Sequence, residues 1–355
     1  MLLDLIKVFI PALLAFTIGI GITPIVSHYL YKHEMWKKKA GKVGLDGGDT
    51  PIFNILHETR ETGTPRLGGV IIWISAASTI LILFLLGLTN IPLFSKLDFL
   101  SRDQTWIPLL VLLIGAGIGF VDDLLEIRGS GDYKAGGLSL AKRLLIVGVV
   151  GFLCAFWFHY KLGVDAIGLP FIGNVGVDWF IIPIFTFIIV AVYSGGIIDG
   201  IDGLAGGIFA VIFGAYGAIA FFQNQINLAA FCAVLLGGIL AFLWFNIPPA
   251  RFYMSETGSM ALTLTLAVVA FMTDSLGEGE GLFVLPIIAL PLLITSLSVI
   301  IQILSKRFLG RKAFIIAPLH HHFEAIGWPS YKVTMRYWVI SVIFGLLGLI
   351  LTLVS

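Results

Sequence analysis

Apolar runs of bilayer length recur from one end of the chain to the other, divided by short segments rich in glycine, proline and charge. About 20 consecutive apolar residues suffice to cross the hydrocarbon core as a helix. Ten runs meet that test, over residues 5–31, 67–88, 107–125, 141–160, 178–195, 202–222, 227–245, 258–273, 282–305 and 334–354. Inside a bilayer the backbone has no water to bond, so each run is predicted to be a helix. Only Gly195 to Asp202 divides the fifth run from the sixth. No internal repeat and no stretch of soluble-domain composition interrupts the series, so residues 1–355 are expected to form a single integral membrane domain. The first run lacks a small-residue cleavage pattern and exceeds the length of a signal core, which predicts a retained helix.

Composition agrees with this all-α, polytopic reading. Of the 355 residues, 58% are hydrophobic and 12% charged, against about 25% charged in soluble domains. The net charge of +1 by itself says nothing about partners; no nucleic-acid partner is expected. Cys154 and Cys232 both fall in apolar runs, where they are expected to pack rather than to form a disulfide or a zinc site.

The distribution of charge is more informative than its sum. Ten spans alternate the loops between two sides. One side, over 32–66, 126–143, 246–257 and 306–336, carries 18 of the 22 lysines and arginines. The other holds only Lys7, Lys96, Arg102 and Lys161. By the positive-inside rule the first set is cytoplasmic and both termini are extracytoplasmic.

Unusual acids gather on that same side. Asp122 and Asp123 end the third span, where two adjacent carboxylates repel each other and resist desolvation. A cation would relieve both penalties; helix-end acids reaching water are the alternative. Asp199 and Asp202 lie in Gly195-Gly196-Ile197-Ile198-Asp199-Gly200-Ile201-Asp202-Gly203. Their spacing of three would put both carboxylates on one face of a helical turn, beside glycines that permit close approach. Glu256 precedes the eighth span, where Ser255 or Thr257 could cap the helix and the dipole would favour the acid. That structural role alone could account for the motif. His320, His321 and His322 stand together in the last of these loops, and imidazoles can bind metal, donate to phosphate or move protons. A polar interfacial loop is the plainer reading of this triplet. Five acids and three histidines from four loops of one face fit a phosphoryl-transfer site. Carboxylates and substrate phosphates suit Mg²⁺, and catalysis would rest on positioning and charge neutralisation.

The motifs resemble those of the phospho-N-acetylmuramoyl-pentapeptide transferases, within the polyprenyl-phosphate N-acetylhexosamine 1-phosphate transferase superfamily. The most specific piece is Pro318-Leu319-His320-His321-His322-Phe323-Glu324, followed by Gly327-Trp328-Pro329. Gly63-Thr64-Pro65-Arg66-Leu67-Gly68-Gly69 and Leu243-Trp244-Phe245-Asn246 with Pro248-Pro249-Ala250 are also similar to family segments. The resemblance covers nearly the whole chain. It implies ten helices, a homodimer, a cytoplasmic-face site in the bacterial inner membrane, and Mg²⁺, with Mn²⁺ as an alternative. It also implies transfer of phospho-MurNAc-pentapeptide from its UDP-linked precursor to undecaprenyl phosphate, releasing UMP.

Residue by residue, the resemblance places Asp122, Asp123, Asp199, His320, His321 and His322 in catalysis, Asp122 being the proposed base. Glu256, with Asp122 and Asp123, falls at the metal. Asp202, Gly196, Asn246, Tyr253, Thr64 and Arg143 fall on the substrate and nucleotide side. Several positions depart from the family pattern, among them Glu61, before Thr62 and Gly63, where a lysine is typical. Gly196 stands where Asn is usual, Glu256 where the metal-binding residue is Asp, and Thr295 where many relatives have Glu. The alternatives are a transferase for another UDP-N-acetylhexosamine, an inactive homologue and, from a different class, a membrane transporter. Acids at span ends on one side only favour an enzyme over a transporter, whose ionisable groups sit near the midplane.

Overall fold

The computed structural model describes residues 2–38, 62–89, 91–101, 104–129, 137–274, 276–277 and 279–355. Five of the charges counted above, Lys39, Lys42, Arg60, Arg102 and Lys134, lie outside the described residues. The fold is predominantly helical, and ten helical spans among the described residues are long and apolar enough to cross a membrane.

In chain order the long helices are α1 (Leu2–Lys32), α2 (Val70–Gly87), then after the short α3 (Pro92–Leu97), α4 (Trp106–Ile127) and α5 (Leu140–Leu162). Next come α6 (Ile181–Ser194), α7 (Leu204–Phe222), α8 (Ile226–Asn246) and α9 (Ser255–Met272). The chain closes with α10 (Gly281–Ile288), α11 (Leu290–Leu309), α12 (Leu319–Ala325) and α13 (Ser330–Val354). A small antiparallel hairpin, β1 (Ala166–Leu169) and β2 (Gly173–Gly176), joins α5 to α6. The apolar periodicity had not announced it, because each strand has only four residues.

Three sequence expectations are corrected. The ninth span is not one helix. It breaks at Ala289 into α10 and α11, with Pro291 at the start of the second piece. Proline supplies no backbone N–H and is accommodated most readily in the first turn of a helix. Residues 199–202 do not form a helical turn; a short 3₁₀ segment, Gly195–Ile198, ends at Asp199 in a non-helical conformation. Neither Ser255 nor Thr257 caps α9 with its side chain.

The bundle is built around α9. It is the most enclosed of the spans, with all of its 18 residues but Glu256 buried. Its Thr263 and Thr265 hydroxyls are also buried, and each donates to the carbonyl four residues earlier, Ser259 and Ala261, at 2.7 Å. The polar groups are thereby satisfied inside the helix. Helix α4 packs along α9, and Gly119 sets the distance: a Cβ there would lie 2.2 Å from the Glu256 carbonyl oxygen. Small residues at such crossings let backbones approach closely. Residues three and four beyond Gly119 share its helix face. Close approach at Gly119 therefore delivers Asp122 and Asp123 to the first turn of α9.

Candidate active site

Asp122 and Asp123 are both fully buried, yet they face different partners. Successive helical residues point about 100° apart, so adjacent carboxylates are free to do different things. Asp123 turns to the backbone of α9. Its Oδ1 accepts from Glu256 N at 3.2 Å and its Oδ2 from Thr257 N at 2.9 Å. Asp199 accepts from the preceding amide, Ser255 N, at 2.8 Å through Oδ2. The first amides of α9, which have no partner within the helix, are thus met by carboxylates from two other segments. Ser255 itself has φ +57°, in the left-handed region.

Asp122 turns instead to Arg143, near the start of α5. Arg143 Nη2 lies 3.0 Å from Asp122 Oδ2, and Arg143 Nη1 donates to Glu256 Oε1 at 2.7 Å. The guanidinium is fixed from behind, its Nε donating to the Leu138 carbonyl at 3.1 Å. Asp122 Oδ1 accepts from Leu138 N at 2.5 Å. Two carboxylates from separate helices therefore converge on one planar cation, a geometry that suits arginine's fork of donors. Tyr193 of α6 lies close enough to Arg143 to interact with it electrostatically.

The histidines approach from the far side of the Asp199 loop. Helix α12 carries all three. It is anchored by a polar stripe on α11: Ser298 Oγ accepts from Leu319 N at 3.0 Å, and Gln302 brackets both the N and O of Phe314 at 2.9 and 3.0 Å. His320 and His321 are buried, with ring centroids 4.3 Å apart. A Cβ on Gly200 would sit 2.5 Å from His320 Nε2 and 2.8 Å from His321 Nε2. Only glycine permits both imidazoles to abut this loop. His322 is more exposed, and its Nδ1 accepts from Ile315 N at 3.3 Å. A continuous line runs from the histidines through Gly200, Asp199, Ser255 and Glu256 to Arg143 and Asp122.

Other residues expected at the site form its frame. Asn246 is buried, accepts from Gly203 N at 2.9 Å and donates to the Phe252 carbonyl at 2.8 Å. Asp202 Oδ2 accepts from Ala250 N at 3.1 Å. These two tie the Asp199 loop to the segment entering α9. The Thr64 segment runs beside Tyr253, with Tyr253 N donating to the Pro65 carbonyl at 2.9 Å and Gly68 N to the Tyr253 carbonyl at 2.8 Å. Arg66 and Lys37 both pair with Glu126, securing that segment to the end of α4. Gly196 lies near Ser259, where an added Cβ would meet only ordinary contacts at 3.6 Å and beyond.

Sequence reasoning had not assigned roles to Gly200, Glu324 or Tyr193. The spacing His321-x-x-Glu324 was the one local signal, since residues three apart meet on a helix. Gly200 and Tyr193 acquire meaning only through partners distant in sequence.

Among the described residues no group of three or more His, Cys, Asp and Glu side chains is arranged to hold a metal unaided. Magnesium commonly uses one or two carboxylates and completes its shell with water and substrate phosphates. Asp122 and Glu256 already converge on a cationic group, so this donor set fits such an ion.

The chain matches the glycosyl transferase family 4 model over residues 105–274, a stretch that includes Asp122, Asp123, Arg143, Asp199, Asp202 and Glu256. A phospho-N-acetylmuramoyl-pentapeptide-transferase of Chloroflexus aurantiacus is 32% identical over 357 residues, covering 97% of this chain and 90% of the relative. The protein of the same name from Geobacillus sp. strain WCH70 is 34% identical over 301 residues, covering 82% and 84%. That of Rickettsia massiliae is 33% identical over 361 residues, covering 95% and 91%. Identity at this level, sustained over nearly the full length of both partners, places the chain in the phospho-N-acetylmuramoyl-pentapeptide transferase family of multi-pass membrane phospho-sugar transferases.

Proposed function

We propose that the protein transfers phospho-MurNAc-pentapeptide from UDP-MurNAc-pentapeptide to undecaprenyl phosphate, yielding lipid I and UMP for peptidoglycan synthesis. The observation that carries this reading is the convergence of Asp122 and Glu256 on Arg143 beside the His320–His321 pair. A diphosphate substrate needs positive charge, acceptors for a proton, and donors to the sugar-phosphate, all held rigidly. This set provides each of them.

In the proposed step an oxygen of undecaprenyl phosphate attacks the β-phosphorus of the UDP-sugar in line. The new P–O bond forms as the bond to the α-phosphate bridging oxygen breaks, and UMP leaves with that electron pair. Asp122 takes the residual proton of the lipid phosphate. Arg143 and the imidazoles meet phosphate charge, while Asp123 and Asp199 hold the start of α9, and so Glu256, in place. Glu256 with Asp122 would hold Mg²⁺, or Mn²⁺, which supplies charge neutralisation on the diphosphate. Thr64, Tyr253, Asn246, Asp202 and Gly196 border the substrate and nucleotide side. The active face is cytoplasmic, both termini are extracytoplasmic, and the protein works as a homodimer in the bacterial inner membrane.

The test is UMP release from UDP-MurNAc-pentapeptide with undecaprenyl phosphate, with and without Mg²⁺, and with other UDP-N-acetylhexosamines in parallel. Asp122→Asn and Glu256→Gln are expected to abolish turnover while remaining folded. Near-normal rates in both would sink the site assignment, and turnover confined to another UDP-sugar would overturn the substrate.

A further inference from the structure

The proposed reaction uses His321 but does not say what holds it. Glu324 lies one helical turn further along α12 and is buried beside it. Its Oε2 is 2.7 Å from His321 Nδ1, and its Oε1 accepts from the Ser330 hydroxyl at 2.8 Å. Ser330 opens α13, so the carboxylate is fixed from a second helix. A carboxylate accepts and does not donate, which places the proton of His321 on Nδ1. Nε2 is then the ring's working atom, and it is the one that abuts Gly200, next to Asp199.

From this geometry we infer that Glu324 is a positioning residue: it fixes the tautomer and the aim of His321, presenting Nε2 to the phosphate side of the site, and Ser330 fixes Glu324. Partners that orient a histidine through its second nitrogen are used widely for this purpose. The inference rests on the function proposed above, in that His321 is taken to face the substrate. A plainer structural role is also open to Glu324, because its bond to Ser330 ties α12 to α13. The two roles give different measurements.

The experiment uses the full-length protein in nanodiscs, with UMP release and histidine-selective ¹⁵N NMR as readouts. The His321 resonances are assigned by their loss in His321→Asn. Glu324→Gln is expected to lower kcat about 10- to 100-fold, with KM for the UDP-substrate changing within about threefold. It should also shift the Nδ1–H signal of His321. Glu324→Asp keeps the charge one methylene further back and should fall between Gln and wild type; it serves as the second variant if Gln fails to fold. Ser330→Ala cuts the tether but leaves the histidine contact, and should cost less than Glu324→Gln. A double variant His321→Asn with Glu324→Gln should lose no more than His321→Asn alone, because residues acting as a unit are not additive. Wild-type kcat in Glu324→Gln, an unshifted His321 signal, additive losses, or an equal loss in Ser330→Ala would each overturn the inference. If the wild-type protein releases no UMP, the proposed function fails, and the NMR comparison still decides the His321–Glu324 pairing.

Discussion

Replacing Asp123 separates two uses of carboxylates that stand side by side in the chain. In Asp123→Ala the part-buried amide of Glu256 and the fully buried amide of Thr257 both lose their acceptor. A buried donor left without a partner costs roughly 1–3 kcal/mol, so the two together cost about 2–6 kcal/mol. Asp123→Asn keeps one carbonyl oxygen, which can serve one of the two amides, and its cost falls to about 1–3 kcal/mol. The expected order of stability is wild type, then Asn, then Ala, read from unfolding midpoints in detergent micelles. Turnover per folded molecule should follow the same order, because the substitutions act by loosening Glu256. Asp122→Asn should differ in kind: its carboxylate faces Arg143 and not the α9 amides, so it should lose turnover out of proportion to stability. An Asp123→Asn protein as stable as wild type and as inactive as Asp122→Asn would refute this division of roles and put Asp123 on the substrate.

Three further outcomes follow from the same geometry. Gly200→Ala would place a methyl 2.5 Å from His320 Nε2 and 2.8 Å from His321 Nε2; the loop and the imidazoles must part, and UMP release should drop at least about tenfold, as for small misplacements at other active sites. Normal turnover would mean the histidines do not work against this loop. Ser255→Gly should raise stability by about 1 kcal/mol, because a left-handed conformation costs a residue with a Cβ about that much and Ser255 has φ +57°; a lower unfolding midpoint would contradict it. Gly196→Asn should leave the unfolding midpoint close to wild type, since a Cβ there meets nothing nearer than 3.6 Å. Gross destabilisation would show that close packing, and not substrate chemistry, selected the glycine.

The spans were legible because each is a local property: twenty or so apolar residues in a row decide their own environment. The Ala289 break was partly legible too, since Pro286 and Pro291 flank it, but continuous hydropathy across 282–305 hid it. The acids were legible as a group and not as individuals. That Asp122 and Asp123 must point in different directions follows from helical geometry alone. Which one meets the cation and which one meets the backbone depends on Arg143 and on Glu256, 113 residues apart from one another in the chain and joined by a bond of 2.7 Å. Nothing local in the sequence encodes that pairing. The same holds for the start of α9. Ser255 and Thr257 have the residue types of caps, yet the acceptors come from Asp123 and Asp199 on other segments. The arrangement couples elements that a self-capped helix would leave independent: if α4 or the Asp199 loop shifts, the first turn of α9 loses its acceptors and Glu256 moves with it. Placing the carboxylate of Glu256 at the end of such a helix makes the geometry of the candidate site a property of the whole bundle, which is why the acids stand out in the sequence while their separate partners do not.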